Sequence, residues 1–450
     1  MSSAESHQAI TAAVDSQKKW ASRSTSERAE IIRHWAMAIR RNKEHLANLI
    51  TAENGKILSS ARTEVDSGVA ALEWYAEESK RTYGYYVPTL LEVHREQLIS
   101  HQPVGVVGVI TPWNFPLAMI TRKVGAALAA GCAVVLKPAE DTPLSALAIA
   151  HLATTEAKLP EGLLSILTAQ RGKHGAEEIG SVMCSSPDVR LIGFTGSTNV
   201  GRMLYTKAAT YGKRVLLELG GNAPFIVFRS ADLDQAVSGA IVSKFRCSGQ
   251  TCVSANRFLV EDSIYDKFVQ MLVASVSQLT MGDGRLPNTQ LGPLINAAAV
   301  QKVHRFVEEA KTSGAKVLTG GSVPTSDQHQ NGHFYPATVL IECTRDMSCV
   351  RNEIFGPVAP VLRFRSESEA IDLANATNHG LAAYIYTQQI QQAWSVARQL
   401  QCGMVGINSP RVSAAEMPFG GVKDSGIGRE GGPHALVEFM DVKTINWDLA

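Results

Sequence analysis

The stretch VGVVGVITPWNFPLAMITRKVGAALAAGCAVVLK, residues 104–137, carries the pattern that decides the fold class. It begins with an apolar, β-rich run at 104–110, continues with a helical pattern at 117–130 and ends with a second β-rich run at 133–136. The apolar residues of one helical face are Leu117, Ile120, Val124 and Leu128. A strand, a helix and a strand at this spacing predict a parallel sheet with a crossover helix.

The alternation of short β-rich runs and helical patterns continues along the chain. Three more runs extend the first series, at 163–167, 191–194 and 215–219. Five runs form a second series, and they lie at 225–228, 258–260, 358–364, 381–386 and 404–407. Two series of this kind predict two doubly wound α/β units. Before them, residues 25–82 have the apolar spacing of helices, with Thr25 or Ser26 as the expected N-cap.

Length and charge bound the class of protein. The 450 residues favour two or three domains over one small core. Lys and Arg number 43 against 42 Asp and Glu, so the chain lacks the basic excess that nucleic-acid binding requires. The charged fraction of 19% is low for a soluble chain and leaves surface for contacts between subunits.

Membrane, secreted and metal-binding classes find no support in the sequence. The longest apolar run, 124–136, is shorter than the ~20 residues that a membrane span needs. The first residues lack the basic and apolar regions of a signal peptide. Seven scattered cysteines form neither a disulfide framework nor a C-x-x-C zinc pattern. We therefore expect a cytoplasmic protein with reduced cysteines, no membrane contact and no metal.

Two reactive side chains lie in segments that could carry chemistry. Glu218 lies near the end of KRVLLELGG, residues 213–221, at the carboxyl edge where parallel sheets place active sites. A glutamate there could also cap a helix or form a salt bridge. Cys252 ends SGQTC, residues 248–252. It is a candidate nucleophile if nearby donors lower the pKa of its thiol, and otherwise a buried structural cysteine.

Three further segments follow predicted strands. FTGSTNVG at 194–201 would let backbone N–H groups approach a pyrophosphate, although any tight strand-to-helix turn can have this composition. TPWNFP at 111–116 is stiffened by two prolines and holds Asn114 as a possible amide donor to an oxyanion, or as an ordinary turn residue. KPAE at 137–140 could bind ribose hydroxyls or present surface charges. Together these segments indicate acyl chemistry through a thiol beside a bound dinucleotide.

The chain resembles the NAD(P)-dependent aldehyde dehydrogenase superfamily over essentially its whole length. The motifs that carry the resemblance, in the family's order, are TPWNFP, KPAE, FTGST, LELGG, GQTC, EIFGP (353–357) and PFGGVKDSGIGRE (418–430). Within the superfamily the chain is most similar to succinate-semialdehyde dehydrogenases. The motifs of that likeness are MITRK (119–123), SKFR (243–246) and KPAEDTP (137–143).

The resemblance implies a role for each site residue. Cys252 would be the nucleophile and Glu218 the base that activates water, while Asn114 and the Cys252 backbone N–H would form the oxyanion hole. The cofactor would be held at three places. The adenine ribose would contact Lys137 and Glu140, with Pro138 and Ala139 between them, and the nicotinamide and its ribose would contact Glu353, Phe355 and Trp113. The residues at the pyrophosphate would be Gly196, Ser197, Thr198, Asn199, Val200 and Gly201.

The resemblance also implies a substrate with a distal carboxylate. Arg122 and Arg246 would bind it, unless they pair with surface carboxylates instead. A serine that helps in close relatives falls at Ala414, so its neighbour Ser413 is the expected substitute. The expected reaction is the oxidation of succinate semialdehyde to succinate. One alternative is a glutarate-semialdehyde or broader aldehyde dehydrogenase, and another is a non-catalytic ligand-binding or structural member of the superfamily. A third, a CoA-acylating enzyme, is disfavoured by the presence of Glu218.

For the architecture, the resemblance implies a Rossmann-type cofactor domain, a second α/β catalytic domain and a small oligomerisation element. Their expected limits are 1–84 and 104–220 for the cofactor domain, 221–424 for the catalytic domain, and 85–103 and 430–450 for the oligomerisation segments. A homodimer or homotetramer is expected. NAD is expected to be preferred over NADP, because Glu140 would repel a 2′-phosphate. Two departures from the family are Cys247-Ser248 before GQTC, in place of the commoner Asn-Ala or Asn-Thr, and Ser254, where some relatives carry a second, redox-active cysteine.

Overall fold

A six-stranded sheet forms around the predicted strand–helix–strand unit. The computed structural model describes residues 1–90, 94–170, 175–326, 329 and 332–449. The strands of this sheet are β3 (Val106–Ile110), β4 (Ala133–Lys137), β5 (Leu164–Ile166), β6 (Val189–Thr195), β7 (Arg214–Glu218) and β17 (Gly426–Ile427). Their order is β17-β7-β6-β3-β4-β5, and only β17 runs antiparallel to its neighbour.

The order of these strands creates a topological switch point beside β3. From β3 the chain passes to β4 and β5 on one side, and then returns to the other side with β6 and β7. Open parallel sheets bind ligands at the carboxyl ends of the strands that flank such a point. Here those ends lead into Thr111 after β3 and Gly196 after β6.

Helices precede the first sheet and alternate with its strands. The helices before the sheet are α1 (Ser3–Ala21), α2 (Thr25–Arg41), α3 (Lys43–Asn54) and α4 (Leu58–Glu78). Those between the strands are α5 (Ala118–Ala130), α6 (Pro143–Thr155), α7 (Gly175–Ser185) and α8 (Thr198–Thr210). Helix α5 is buried on almost every side, because α4 packs closely against it. A Cβ on Gly68 of α4 would lie 2.3 Å from Leu117 Cδ2 at the start of α5.

The helical prediction for residues 25–82 is confirmed, but its expected N-cap is wrong. Ser24, and neither Thr25 nor Ser26, caps α2. The Ser24 side chain accepts a hydrogen bond from the backbone N–H of Glu27, and the Glu27 carboxylate accepts one in return from the backbone N–H of Ser24. This reciprocal arrangement is a capping box. Helix α1 was not predicted.

A second, seven-stranded sheet contains all five runs of the second predicted series. Its strands, in spatial order, are β10 (Lys316–Thr319), β11 (Thr338–Ile341), β12 (Val358–Phe364), β9 (Ala255–Glu261), β8 (Ala223–Val227), β14 (Ala382–Tyr386) and β15 (Met404–Ile407). The helices of this part are α9 (Leu233–Phe245), α10 (Tyr265–Val276), α11 (Ala297–Thr312), α12 (Ser348–Arg351), α13 (Glu367–Asn375) and α14 (Ile390–Gln399). Every strand pair but β10 with β11 is parallel, as predicted for an α/β fold.

Two smaller sheets complete the fold, and neither was predicted. The pair β13 (His379–Gly380) and β16 (Val422–Lys423) is antiparallel. A three-stranded antiparallel sheet contains β1 (Tyr85–Val87), β2 (Arg95–Pro103) and β18 (Met440–Asp448). Most of its side chains are exposed or half-buried, in contrast to the buried strands of the two large sheets.

The domain boundaries drawn from the resemblance stay a prediction. No described helix is long and apolar enough to cross a membrane.

Candidate active site

A cavity of about 750 Å³ brings together residues from both large sheets. Its wall includes ten of the residues singled out from the sequence, which are Trp113, Asn114, Arg122, Gly196, Ser197, Arg246, Cys252, Glu353, Phe355 and Ser413. Glu218 is not itself a lining residue, but Thr195, its pairing partner on β6, and Leu219, the next residue of the chain, both line the cavity. The cavity therefore collects the candidate nucleophile, oxyanion donor and arginines at one place.

The turn that presents Cys252 is strained. After α9, Cys247 and Ser248 adopt left-handed backbone conformations with φ of 51° and 57°, and Gly249 follows with φ of 72°. Residues other than glycine seldom adopt this region, and asparagine tolerates it better than cysteine or serine. A side chain at Gly249 is excluded as well, because its Cβ would lie 2.2 Å from the carbonyl oxygen of Gly356. The Cys247-Ser248 departure thus falls where the backbone is most demanding.

Nearby donors do not lower the pKa of the Cys252 thiol, which was the condition named for a reactive cysteine. Burial raises the pKa of the Cys252 thiol to about 12, and the carboxylates of Glu353 and Glu218 add to the rise. The guanidinium of Arg122 opposes it with less effect. The thiol is therefore protonated near neutral pH, and its reaction as a nucleophile requires a group that accepts its proton.

Asn114 lies on the loop after β3 with its amide oriented by the nucleophile loop. The side-chain Nδ2 donates a hydrogen bond of 3.0 Å to the carbonyl oxygen of Gln250, two residues before Cys252. The Oδ1 atom is buried and has no hydrogen-bond partner among the described residues. One N–H of the amide is thus used to fix its plane, and the second is left for a ligand in the cavity.

Glu218 is a buried carboxyl group at the end of β7. Its side chain is 2% exposed, and both carboxylate oxygens lack a hydrogen-bond partner among the described residues. Burial raises the pKa of Glu218 to about 8, while the nearby cations Lys123, Arg122 and Arg429 act in the opposite direction. The helix-cap and salt-bridge alternatives are excluded for the described part of the chain. A carboxyl group with a pKa near neutrality can give or take a proton at the pH of the cell.

Lys123, a buried lysine beside Glu218, was not predicted to belong to the site, although it is the last residue of the MITRK motif. Lys123 Nζ donates hydrogen bonds to Thr195 Oγ1, at 2.5 Å, and to the carboxylate of Glu430. Burial lowers the pKa of Lys123 to about 7, against the effect of Glu218. The available signal was a lysine within a helix whose remaining residues are almost all buried and apolar.

The two arginines predicted to bind a carboxylate both line the cavity. Arg122 Nη2 donates a hydrogen bond of 2.8 Å to Ser413 Oγ, and its guanidinium lies 4.3 Å from the ring centroid of Phe419. The guanidinium of Arg246 lies 5.8 Å from the ring centroid of Phe115. In the described part of the chain neither arginine has a carboxylate within 4.0 Å, so the alternative of surface ion pairs is wrong there.

Another part of the cavity wall is aromatic and acidic, and it contains Trp113, Phe355 and Glu353. The rings of Trp113 and Phe355 meet edge to face with centroids 5.6 Å apart. Phe355 has a left-handed φ of 56°, which is strained for an aromatic residue. Glu353 Oε1 accepts a hydrogen bond of 2.9 Å from the backbone N–H of Gly221. Burial raises the pKa of Glu353 to about 7, although Lys302 and Lys244 oppose the rise.

Eight of the residues predicted to bind the cofactor lie outside the cavity wall, which are Lys137, Pro138, Ala139, Glu140, Thr198, Asn199, Val200 and Gly201. They follow β4 and β6, at the same edge of the first sheet as the cavity. Lys137 forms an ion pair with Glu140. Thr198 Oγ1 accepts a hydrogen bond from Gly220 N, and Ser197 caps α8 by accepting one from Val200 N.

Residues that could hold a metal ion are not grouped in the described ranges. Within them no set of three or more His, Cys, Asp and Glu side chains is close enough together. All seven cysteines are free thiols.

The comparisons with known proteins agree with this site. The model of the aldehyde dehydrogenase family matches residues 1–445. The mitochondrial succinate-semialdehyde dehydrogenase of Rattus norvegicus is 50% identical over 443 residues, which cover 98% of this chain and 83% of that protein. The structure of succinate-semialdehyde dehydrogenase from Burkholderia pseudomallei is similar with a TM-score of 0.96 and 46% identity, and the match covers 100% of this chain and 91% of that one.

The chain belongs to the aldehyde dehydrogenase family, so the predicted family and fold class are confirmed. A further similar structure, described as an E. coli NADP dependent enzyme, has a TM-score of 0.96 and 43% identity and covers 100% of this chain and 91% of that one. The family uses NAD or NADP as its cofactor. Neither comparison distinguishes the two for this chain.

The raised pKa of Glu218 gives a testable prediction. Its protonated carboxyl band in the infrared spectrum should be present at pH 7 and should disappear as the pH rises through about 8. In Lys123→Met the band should persist to higher pH, because a cation that favours the charged carboxylate has been removed. The wild-type minus Glu218→Gln difference spectrum assigns the band and removes the contribution of Glu353. A band that titrates near the ordinary glutamate value of about 4.3 would contradict the prediction.

Proposed function

We propose that this protein oxidises succinate semialdehyde to succinate with a nicotinamide dinucleotide. The observation that supports this substrate is the pair Arg122 and Arg246, which line the same cavity as Cys252 and have no carboxylate partner in the described chain. Two guanidinium groups in that state can bind a carboxylate at one end of a substrate while its aldehyde lies at the thiol. The names of the rat and Burkholderia relatives agree with the proposal.

In the proposed chemistry the Cys252 thiol gives up its proton to water in the cavity, and its sulfur adds to the aldehyde carbon. The carbonyl oxygen becomes an oxyanion, which is stabilised by the Asn114 amide and the Cys252 backbone N–H. When bound, the nicotinamide supplies the hydride acceptor that takes the acyl group to the oxidation level of an acid. Glu218 then takes a proton from a water molecule, which attacks the thioester at Cys252 and releases the product. A pKa of about 8 suits Glu218 to this exchange of protons near neutral pH.

The residues of the cavity wall fit such a cofactor. Gly220 leaves space beside the Glu353 carboxylate, since a Cβ there would lie 2.8 Å from Glu353 Oε2. The carboxylate has one hydrogen bond, from Gly221 N, which leaves acceptor capacity for ribose hydroxyl groups. The N-terminus of α8 lies at the switch point of the first sheet, where backbone N–H groups favour a pyrophosphate. We propose that Trp113 and Phe355 contact the nicotinamide ring.

We propose further that NAD is preferred over NADP. Lys137 and Glu140 form an ion pair after β4, at the edge of the sheet that would hold the adenosine. A carboxylate at this place can accept hydrogen bonds from ribose hydroxyl groups and repels a 2′-phosphate.

We also propose that the three-stranded sheet is the contact between subunits of a homodimer or homotetramer. Strand β18 pairs with β2 on one side only, and β15 is an edge of the seven-stranded sheet. The sheet presents exposed apolar side chains, including Tyr85, Val442 and Trp447. Open edges and exposed apolar groups of this kind are normally covered by another chain.

The cytoplasmic location stays a prediction from the sequence, because the rat relative is named mitochondrial.

The assignment of nucleophile and base predicts two distinct failures. Cys252→Ala should abolish oxidation, because no thioester can form. Glu218→Gln should release about one NADH per active site in a burst and then stall, because water is not activated. Stopped-flow absorbance of NADH measures both, and Cys247→Ser, which alters another thiol of the cavity wall, serves as the control. Steady turnover by Cys252→Ala would remove the assignment.

The substrate assignment predicts a selective loss in Arg122→Ala and in Arg246→Ala. Losing one partner of a hydrogen-bonded charge pair costs ~2–5 kcal/mol, or roughly 30- to 3,000-fold in kcat/KM for succinate semialdehyde. We expect the lower end for Arg246, because its side chain is exposed to solvent. Butanal, an uncharged aldehyde of matched length, should lose little. Arg411→Ala, an exposed arginine outside the cavity wall, is the control, and equal losses on both aldehydes would refute the assignment.

The cofactor preference is tested by kcat/KM for NAD and for NADP. The wild-type ratio should favour NAD, and Glu140→Gln should bring it closer to one, because the repulsion of the 2′-phosphate is removed. Asp141→Asn removes a neighbouring carboxylate and should leave the ratio unchanged. A wild-type preference for NADP, as the name of the E. coli relative describes for that enzyme, would overturn the proposal.

A further inference from the structure

A fully buried ion pair lies against the loop that carries Asn114. Lys56, between α3 and α4, and Glu64, in α4, are 3% and 2% exposed. Their side chains meet with Lys56 Nζ 2.6 Å from Glu64 Oε2. An ion pair in this environment is seldom a gain in stability, because removing both charges from water costs about as much as their attraction returns. The presence of a buried ion pair at this place therefore indicates that it fixes the positions of neighbouring groups.

Lys56 binds the Asn114 loop directly. Its Nζ donates a hydrogen bond of 2.5 Å to the backbone carbonyl oxygen of Asn114 and lies 4.1 Å from the ring centroid of Phe115. The neighbouring Asn54 donates from Nδ2 to the carbonyl oxygen of Trp113, at 2.9 Å. Three consecutive residues of the loop are thus held from the junction of α3 and α4.

Glu64 holds the next part of the same segment. Its Oε1 accepts hydrogen bonds from the backbone N–H groups of Leu117 and Ala118, at 2.8 and 3.2 Å. These groups begin α5, where backbone N–H groups have no partner within the helix. Since α5 carries Arg122, the ion pair fixes the start of the helix that presents a cavity arginine.

Phe115 connects the ion pair to the second arginine. The Lys56 ammonium and the Arg246 guanidinium both lie near its ring, at 4.1 and 5.8 Å from the centroid. A shift of the loop after loss of Lys56 would therefore move the Asn114 amide and the ring beneath Arg246 together. Asn114 and Arg246 are two of the groups that hold the proposed substrate.

We propose that Lys56 and Glu64 are positioning residues that hold the oxyanion donor Asn114 and the carboxylate-binding Arg246 at a fixed separation. The proposal rests on the proposed function, because it takes the roles of Asn114 and Arg246 from there. Lys56 acts through the peptide of Asn114 and the ring of Phe115, without contact to the substrate. A misplacement of a catalytic group by about 1 Å costs roughly 100-fold in rate, which is the size of effect expected here.

The test is a double-mutant cycle between Lys56→Met and Asn114→Ala, read as the rate of the NADH burst with succinate semialdehyde. Lys56→Met alone should slow the burst by roughly 10- to 100-fold. In the Asn114→Ala background the same substitution should cause little further loss, because the group it positions is already absent. The preference for succinate semialdehyde over butanal should also fall in Lys56→Met, because Phe115 supports Arg246.

A second variant guards against failure to fold. Lys56→Met leaves the Glu64 charge buried and unpaired, whereas Lys56→Met with Glu64→Gln leaves no charge, and the glutamine oxygen can still accept from Leu117 and Ala118. The burst should be slow in this variant too. Lys43→Met with Asp66→Asn removes an exposed ion pair between α3 and α4 and should leave the burst unchanged.

Each outcome of the cycle is decisive. Losses that multiply in the combined variant, or a normal burst in Lys56→Met with Glu64→Gln, would overturn the positioning role while leaving the proposed function intact. A normal burst in Asn114→Ala alone would instead overturn the oxyanion assignment of the proposed function, and the positioning role would fall with it.

Discussion

The parallel pairing of β3 with both β4 and β6 is the constraint on which the rest of the site depends. Because these strands run in the same direction, the segments that follow them must emerge at one edge of the sheet. The Asn114 loop follows β3, the Lys137–Glu140 pair follows β4, and the turn into α8 follows β6. The antiparallel strand β17 closes the same sheet next to Glu218. The second sheet adds the thiol, the second arginine and the acidic, aromatic wall.

Burial of charge is the second principle of this site. Glu218, Lys123 and the Lys56–Glu64 pair are buried, and Glu353 is half-buried at the cavity wall. Desolvation moves the pKa values of Glu218, Glu353 and Lys123 toward neutrality. The carboxyl groups of Glu218 and Glu353 are each opposed by one or more nearby lysines that form no direct ion pair with them in the described chain. The result is a set of groups that can exchange protons within the pH range of the cell. A better-solvated arrangement would be cheaper to fold and would leave these groups permanently charged.

Ten of the thirteen described strands of the two large sheets were predicted, because they appear in the sequence as short apolar runs and most of them are buried on both faces. The strands β10, β11 and β17 were not predicted, and β10 and β17 are short and partly exposed. The three-stranded sheet was not predicted, since its exposed strands mix polar and apolar residues, as in Arg95–Pro103. The buried lysines were not predicted, because a charged residue in a helical pattern is ordinarily placed on the exposed face of the helix. Lys123 finds its partner Glu430 307 positions away, a contact that no local pattern contains. Cys252 was predictable because its motif lies on one turn. The support of the Asn114 loop by Lys56 and Glu64 was not predictable, because these residues lie more than 50 positions earlier in the chain.

The pairing of β17 with β7 also fixes when during synthesis the site becomes complete. Ser425 donates from Oγ to the carbonyl oxygen of Gly220, 205 positions earlier, and accepts at its own carbonyl oxygen from Leu219 N. At a translation rate of ~5–20 residues per second, the strand that bears Glu218 waits about 10 to 40 s on the ribosome for this partner. During that interval the first sheet has an open edge beside the carboxyl group. The thiol of Cys252 is therefore made well before the surroundings of Glu218 are finished, and the site is complete only in a chain translated beyond β17.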